Sequence, residues 1–158
     1  APRENPSDYV VRVAGDKAQH VAQLVAQHGL TGHPVLGADT EVVLDDEIFG
    51  KPRDRQHAAR MLRCLAGRAH TVLTGLCLVT PAGRHTRVSE SRVTFGVLSD
   101  AEISAYLASG EADDKAGAYA IQGRAAGFIA RLEGSYSGVM GLPLHELCEM
   151  LKQAGLDA

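Results

Sequence analysis

Three short segments of the chain carry side chains that could act on a phosphorylated ligand. In the first, Gly37-Ala38-Asp39-Thr40 follows the apolar pair Val35-Leu36, so we expect its carboxylate where a buried strand ends, at the rim of a sheet. There Asp39 could hold a divalent cation or accept a proton from water, and Thr40 would add a hydroxyl. Because an Asp after a strand is more often a turn or capping residue, this segment needs support from elsewhere in the chain.

The other two segments supply positive charge and an amide. Phe49-Gly50-Lys51-Pro52-Arg53 puts a lysine beside a Gly and a Pro, where the backbone can approach a ligand closely. It is not a P-loop, because the spaced glycine and the Ser or Thr after the lysine are absent. Residues 113–123 contain Lys115 and end in Gln122-Gly123, and the Gln amide can pair with the edge of a base. Taken alone, each of these two segments is more typical of an ordinary surface loop.

Other kinds of catalytic site find little support. The seven histidines form no HxH or HxxxH pair, and we expect His70 to be a hydrogen-bonded structural residue. Gly134–Gly138 has Tyr136 at the position where a GxSxG elbow needs its serine. The three cysteines are odd in number and form no CxxC pair, which argues against a disulfide framework and against a cysteine-rich zinc site.

Length and charge restrict the class of protein. The 158 residues fit one domain, and the 45% hydrophobic share permits a sizeable core. The net charge of −3 argues against binding to a nucleic acid polymer, since phosphate contacts require a basic excess, but a few local cations suffice for a small anion. With no apolar run near the ~20 residues of a membrane span and no signal peptide visible, we expect a soluble cytoplasmic protein without membrane contact.

Helices and strands alternate along the chain, and at least one long hairpin is predicted. The spacing of apolar residues and the capping signals predict a helix from Ser7 as N-cap to Gln27, further helices behind Asp54 and Ser99, and one beginning at Pro143. Predicted strands cover 34–39, two pieces of 41–49 around Asp45-Asp46, a hairpin over 70–97, and the segments 117–122 and 127–132. This order favours an α/β or α+β domain with a mixed sheet.

Taken together and in order, these segments resemble the Maf-like nucleoside triphosphate pyrophosphatases. Each piece is common, but the ordered set is specific and covers nearly the whole chain. The matching pieces are Tyr9–Ala14 with Lys17-Ala18, Gly37–Thr40, Gly50–Arg53, Ala58–Arg63, Leu65–Gly67, His70–Val72 with Thr74-Gly75, Lys115–Tyr119 with Ile121–Gly123, Gly134–Tyr136 and Gly141–Leu144.

The resemblance implies a fold and a reaction. The fold would be the Maf-type α/β architecture, similar to the inosine triphosphatases, with a central mixed β-sheet flanked by helices and a cleft between two lobes. The reaction would be attack of water at the α-phosphate of dTTP or UTP, releasing the monophosphate and pyrophosphate with Mg²⁺ or Mn²⁺. The segment Tyr119–Gln122 resembles the dTTP/UTP branch, whereas the 7-methyl-GTP branch shows Glu-Gly where this chain has Gln122-Gly123.

The resemblance also implies roles for individual residues. Asp39 matches the acidic catalytic residue of the family, as a ligand of the metal or as the acceptor of a proton. Lys17 and Lys51 match its phosphate-side lysines, and Thr40 and Gln122 match positions linked to base choice. Lys115 completes the set of predicted substrate-binding residues.

One departure from the family pattern concerns its first segment. The family begins with a strand and a Ser-x-Ser-Pro-Arg-Arg turn that binds phosphate, and Pro2-Arg3 is not that turn. We therefore expect residues 1–158 to form a single Maf-like domain without this strand and turn, and to be feeble or inactive and poorly stable by themselves. Two alternatives stay open: a nucleotide-binding regulatory protein related to septum formation, and a pyrophosphatase for purines such as ITP or XTP. A homodimer is also expected from the family.

Overall fold

A computed structural model of the protein describes residues 4–156, so that Pro2 and Arg3 lie outside the described residues. The strands are β1 (Val35–Leu44), β2 (Glu47–Phe49), β3 (Ala69–Thr80), β4 (Gly83–Phe95) and β5 (Ile129–Glu133). The helices are α1 (Pro6–Gln27), α2 (Arg55–Leu65), α3 (Asp100–Ala108), α4 (Tyr136–Met140) and α5 (Leu144–Gln153), and short 3-10 helices cover Ala116–Ala118 and Arg124–Phe128. Within residues 4–156, none of the helices combines the length and the apolar character needed to cross a bilayer.

The five strands form one sheet in the order β2-β1-β3-β4-β5. The predicted α/β class is confirmed, but every strand pair among the described residues is antiparallel, so the sheet is not mixed there. For two of these pairs the reason is local: tight turns join β1 to β2 and β3 to β4, and a tight turn can connect only antiparallel neighbours. Asp45 and Asp46, the predicted turn, have φ angles of 52° and 62°, as a type I′ hairpin turn requires.

Helix α1 lies against one face of β1 and β3. Gly37 and Gly75 allow this close approach, because a Cβ atom at either position would overlap the α1 backbone at Ala14 or Val10. The helix begins two residues earlier than predicted: its N-cap is Asn5, whose side chain accepts a hydrogen bond from the Ser7 backbone N–H, and not Ser7 itself. Proline suits the first helical position because its missing N–H has no partner there, which explains the shift to Asn5.

The opposite face of the sheet carries the main hydrophobic core. Helices α2 and α3 contribute side chains such as Leu62, Leu65 and Ile103, which pack with Val72 and Phe95 of the sheet. Both helices begin as predicted, since Asp54 accepts from the His57 N–H and Ser99 forms a capping box with Glu102. The sheet is therefore covered on both sides, by α1 on one and by α2 and α3 on the other.

The predicted strand over 117–122 is wrong. Gly117 and Ala118 have φ angles of 66° and 63°, which an extended strand cannot accommodate, and the segment forms a 3-10 turn followed by a loop. A Cβ at Gly117 would lie 2.7 Å from Val42, and the Gly117 N–H donates to the Gly50 carbonyl at 3.2 Å. This packing brings the segment of Lys115 and Gln122 next to β1 and to the segment of Lys51.

Candidate active site

All six residues predicted for the site line one cleft of ≈ 240 Å³. They come from α1, from β1, from the loop after β2 and from the loop around the first 3-10 helix. These residues are Lys17, Asp39, Thr40, Lys51, Lys115 and Gln122. The structure thus brings together side chains that lie as far as 105 positions apart in the sequence, counted from Lys17 to Gln122.

The predicted position of Asp39 at the end of a strand is wrong. β1 continues to Leu44, and Asp39 lies in its middle, opposite Gly75 of β3. The strand runs on because Glu41, Val42 and Val43 keep pairing with β3. β2, however, pairs only with residues 42–44, so within residues 4–156 no strand covers the outer edge of β1 around Asp39. The cleft reaches the aspartate along this open edge.

Asp39 is held by one of its two carboxylate oxygens. The Lys17 Nζ donates to Asp39 Oδ1 at 2.6 Å and to the Ala38 carbonyl at 3.2 Å. The Asp39 side chain is only 11% exposed, whereas that of Lys17 is 55% exposed. Asp39 Oδ2 is buried and has no hydrogen-bond partner among the described residues. Lys17 therefore fixes the carboxylate and leaves its second oxygen available to a ligand.

Glu41 is a site residue that the sequence analysis missed. Two positions after Asp39 in the same strand, it lies on the same face of the sheet. Its Oε2 is also buried without a partner in the described part of the chain. Burial, together with the negative charge of Asp39, raises the pKa of Glu41 to about 7, and Lys17 and Lys51 oppose this rise. Joining the predicted strand 34–39 to the predicted piece that begins at residue 41 would have revealed it, because side chains alternate along a continuous strand.

The other face of β1 presents a hydroxyl in place of a carboxylate. The Oγ1 atoms of Thr40 and Thr74 lie 2.8 Å apart, and the buried Thr74 hydroxyl donates to the Gly138 carbonyl at 2.8 Å. The cleft is also lined by the Gln122 amide and by the largely apolar side chains of Tyr119, Val72, Val139 and Met140. The cleft therefore has a charged end, at Asp39 and Glu41, and a neutral end, at Thr40 on the other face of β1.

The lysines of the loops are only loosely held. Lys51 Nζ lies 4.0 Å from Asp114 Oδ1, and both side chains are mostly exposed, so the pair contributes little to stability. The Lys115 side chain forms no hydrogen bond or ion pair with another residue of the 4–156 range. Both ammonium groups can therefore turn towards an anion in the cleft without breaking a strong contact.

His70 lies behind the cleft. It is buried, and its Nε2 lies 2.8 Å from the hydroxyl of Tyr119, which lines the cleft. Burial lowers the pKa of His70 to about 4 and raises the pKa of Tyr119. The prediction of a hydrogen-bonded structural histidine is confirmed: the ring is neutral at physiological pH and holds Tyr119 in place.

The donor atoms suit a cation that a ligand helps to hold. No group of three or more His, Cys, Asp or Glu side chains within residues 4–156 is arranged to hold a metal. Asp39 Oδ2 and Glu41 Oε2 are nevertheless two buried carboxylate oxygens on one face of β1, both lacking a partner in that range. Mg²⁺ is commonly bound by one or two carboxylates together with water and substrate phosphates. The pair fits a divalent cation completed by phosphate oxygens.

Comparison with known proteins identifies similar sequences over almost the whole chain. The profile of the family described as Maf-like protein matches residues 1–154. A protein of Ralstonia nicotianae named dTTP/UTP pyrophosphatase is 52% identical over 154 residues, covering 97% of this chain and 74% of its own length. Proteins of the same name from Nitrosomonas europaea and Alkalilimnicola ehrlichii are 49% and 52% identical, covering 99% and 98% of this chain and 75% and 76% of their own lengths.

Proposed function

The chain belongs to the Maf-like protein family, and we propose that it hydrolyses dTTP and UTP to the nucleoside monophosphate and pyrophosphate. The observation that carries the proposal is the convergence of the six predicted residues on one cleft that combines charged groups with apolar surface. Relatives about 50% identical that are named dTTP/UTP pyrophosphatase support the choice of substrate.

The charged end suits a triphosphate. Three lysines, Lys17, Lys51 and Lys115, line the cleft, and a triphosphate is multiply anionic at neutral pH. Lysines bind phosphate as compact point charges, and an exposed lysine loses little by turning towards one. Lys51 and Lys115 would offset the charge of the phosphate chain and orient it, while Lys17 also holds Asp39.

The divalent cation expected for the family, Mg²⁺ or Mn²⁺, would be held by Asp39 and Glu41. A bound cation supplies positive charge that offsets the charge developing on the phosphate oxygens. The two carboxylates contribute the unpartnered oxygens Asp39 Oδ2 and Glu41 Oε2. In the reaction, the oxygen of water bonds to the α-phosphorus, and the bond from that phosphorus to the bridging oxygen breaks. Pyrophosphate leaves, and a proton of the water passes to a carboxylate of the site.

The other end of the cleft suits the base. Tyr119, Val139 and Met140 offer apolar surface to a flat ring, and Thr40 and Gln122 offer polar groups to its edge. The alternation of side chains along β1 assigns the carboxylates to one face and Thr40 to the other. The two parts of a nucleotide would thus bind to different faces of one strand.

Pyrophosphate release from dTTP and UTP, measured with the full protein and Mg²⁺, tests the proposal. In water enriched in oxygen-18 the label is expected in the monophosphate, because the attack is at the α-phosphorus. Release of orthophosphate without pyrophosphate would contradict the proposal. Tight binding of dTTP without cleavage would favour the regulatory alternative, and a preference for ITP or XTP would favour the purine alternative. A homodimeric state and a cytoplasmic location stay predictions, which sedimentation and fractionation check.

A further inference from the structure

We propose that Thr74 is a positioning residue for base selection. Its hydroxyl fixes the hydroxyl of Thr40 as a hydrogen-bond acceptor, so that the cleft favours bases with a ring N–H over bases with an unprotonated ring nitrogen at the same place. The inference rests on the proposed function in one respect, namely that a nucleotide base enters this end of the cleft. It adds a residue, Thr74, that does not line the cleft itself.

The direction of the two hydrogen bonds follows from a count of hydrogens. A threonine hydroxyl has one hydrogen and two lone pairs, whereas a carbonyl oxygen can only accept. Thr74 Oγ1 lies 2.8 Å from the Gly138 carbonyl oxygen and must therefore give its hydrogen to that bond. The contact of 2.8 Å between the two hydroxyls is then possible only if Thr40 donates to Thr74. The Thr40 hydroxyl has no hydrogen left and can only accept from a ligand.

This arrangement is rigid because Thr74 is enclosed. It is 1% exposed, in the middle of β3, and directly opposite Thr40 in the antiparallel register. The Gly138 carbonyl belongs to α4 and also accepts from the Gly141 N–H at 3.0 Å. The Gln122 amide, by contrast, forms no hydrogen bond with another residue of the described chain and carries both a donor and an acceptor. Thr40 is therefore the polar group at this end whose hydrogen-bond character the protein fixes.

An acceptor at this place distinguishes two classes of base. Uracil and thymine carry an N–H at ring position 3, between two carbonyl groups, whereas cytosine carries a lone pair there. A ring N–H can donate to Thr40, but an unprotonated ring nitrogen would face another acceptor and leave both groups unsatisfied. An unmade hydrogen bond of this kind corresponds to a loss of about 10- to 100-fold in affinity. Hypoxanthine has a ring N–H as well, so the Thr40–Thr74 pair selects bases that carry a ring N–H and does not distinguish purines from pyrimidines.

The test compares UTP with CTP, which differ at this edge of the ring and share the sugar and phosphates. We would measure kcat/KM for both nucleotides with the full protein and with the variants T74V and T74S. Valine has nearly the shape of threonine and suits a strand, but it cannot accept the hydrogen of Thr40, which becomes free to turn into the cleft. T74S keeps the hydroxyl and is the matched control. Thermal unfolding would verify that each variant is folded.

The inference predicts at least a tenfold preference for UTP in the native protein and in T74S, and a preference several-fold smaller in T74V. A purely structural role of Thr74 would lower both rates together and leave their ratio unchanged, which would overturn the inference. Equal rates on UTP and CTP in the native protein would also overturn it, while the proposed pyrophosphatase activity would stand.

A second measurement separates this inference from the proposed function. The affinities of α,β-methylene UTP and α,β-methylene CTP, which cannot be cleaved between these phosphates, are measured by calorimetry for the same three proteins. If the native protein prefers the uridine analogue and T74V does not, the inference holds even where no triphosphate is hydrolysed. If neither analogue binds, or if both bind equally to the native protein, the inference is wrong.

Discussion

The two faces of β1 differ in whether their polar side chains have hydrogen-bond partners within the protein. On the face towards α1, Asp39 Oδ2 and Glu41 Oε2 are buried with no partner among residues 4–156. On the other face, the hydroxyls of Thr40 and Thr74 form a chain that ends on the Gly138 carbonyl, with both contacts at 2.8 Å. One strand thus carries a charged face, on which two carboxylate oxygens lack partners among residues 4–156, and a neutral face, on which the protein supplies the partners.

We therefore associate the charged face with the strength of ligand binding and the neutral face with the selection of the base. A buried carboxylate oxygen without a partner costs stability, and a cation or a hydrogen-bond donor that reaches it regains that free energy on binding. A hydroxyl that already donates its hydrogen within the protein contributes less to the free energy of ligand binding. It does, however, distinguish a ligand group that donates a hydrogen bond from one that accepts. We therefore expect changes on the charged face to alter turnover and stability, and changes on the neutral face to alter the choice of base.

The largest effect is expected for D39N. Asparagine keeps the shape of the side chain but removes the charge that pairs with Lys17 Nζ at 2.6 Å. We predict that kcat/KM for dTTP falls by about 10³-fold, as for the loss of a principal electrostatic group in an active site. Steady-state kinetics with Mg²⁺ measure this. Activity within threefold of the native protein would exclude a catalytic role for Asp39.

The next largest effect is expected for G37A, which acts on the packing behind the charged face. An added Cβ would overlap the Ala14 carbonyl oxygen and lie 2.9 Å from the Ala18 Cβ, so α1 must move away from β1 and carry Lys17 with it. We predict a loss of about 3 kcal/mol in the free energy of unfolding. Denaturant unfolding measures it. The control is G127A, where an added Cβ meets no atom within 4 Å and should change the stability by less than about 0.5 kcal/mol.

The fold shows which features the sequence could predict and which it could not. Helix α1, the caps at Asp54 and Ser99 and the turn at Asp45-Asp46 follow local signals that depend on neighbouring residues, and all were predicted closely. The strand over 117–122 was wrong because its apolar residues pack in a loop with positive φ angles, which the approach to Val42 imposes. The sequence around residue 117 contains no local signal for its contact with Val42.

The same limit applies to the site. The six predicted residues do share one cleft, because the family pattern marks each segment. Glu41 was missed because the prediction divided β1 into a strand ending at Asp39 and another beginning at Glu41, whereas β3 pairs continuously with it through Val43. The role of Thr74 depends on contacts with residues 34 and 64 positions away, which no spacing in the sequence reveals.

A smaller effect on turnover is expected for K17M. Methionine keeps most of the length of lysine but cannot donate to Asp39 Oδ1 or to the Ala38 carbonyl. We predict a loss of about 10- to 50-fold in kcat/KM, since a charge-assisted hydrogen bond and one phosphate-side cation are removed. The matched control is K152M, because Lys152 pairs with Glu149 in α5 and does not line the cleft. Equal losses in the two variants would contradict a specific role for Lys17.

The smallest effect is expected for E41Q, and it depends on pH. Because the pKa of Glu41 in the folded protein is about 7, above its ordinary value of 4.5, the unfolded chain releases this proton first as the pH rises. Ionisation of Glu41 therefore does not change the free energy of unfolding below pH 4.5. Between pH 4.5 and pH 7 it lowers the free energy of unfolding progressively, and above pH 7 the loss stays constant. Relative to the native protein without metal, we predict that E41Q gains about 0.5 kcal/mol between pH 4.5 and 8, a value reduced for partial exposure. A difference that is independent of pH would contradict the assignment.

The binding of Mn²⁺ tests the central claim most directly, since Asp39 Oδ2 and Glu41 Oε2, which lack partners among residues 4–156, should bind a cation whether or not the chemistry proceeds. Electron paramagnetic resonance would follow Mn²⁺ added to the full protein in the presence of α,β-methylene UTP. We predict one bound ion per chain in the native protein, an affinity at least tenfold lower in D39N, and no change in T74V. Equal Mn²⁺ affinity in the native protein and D39N would contradict the account.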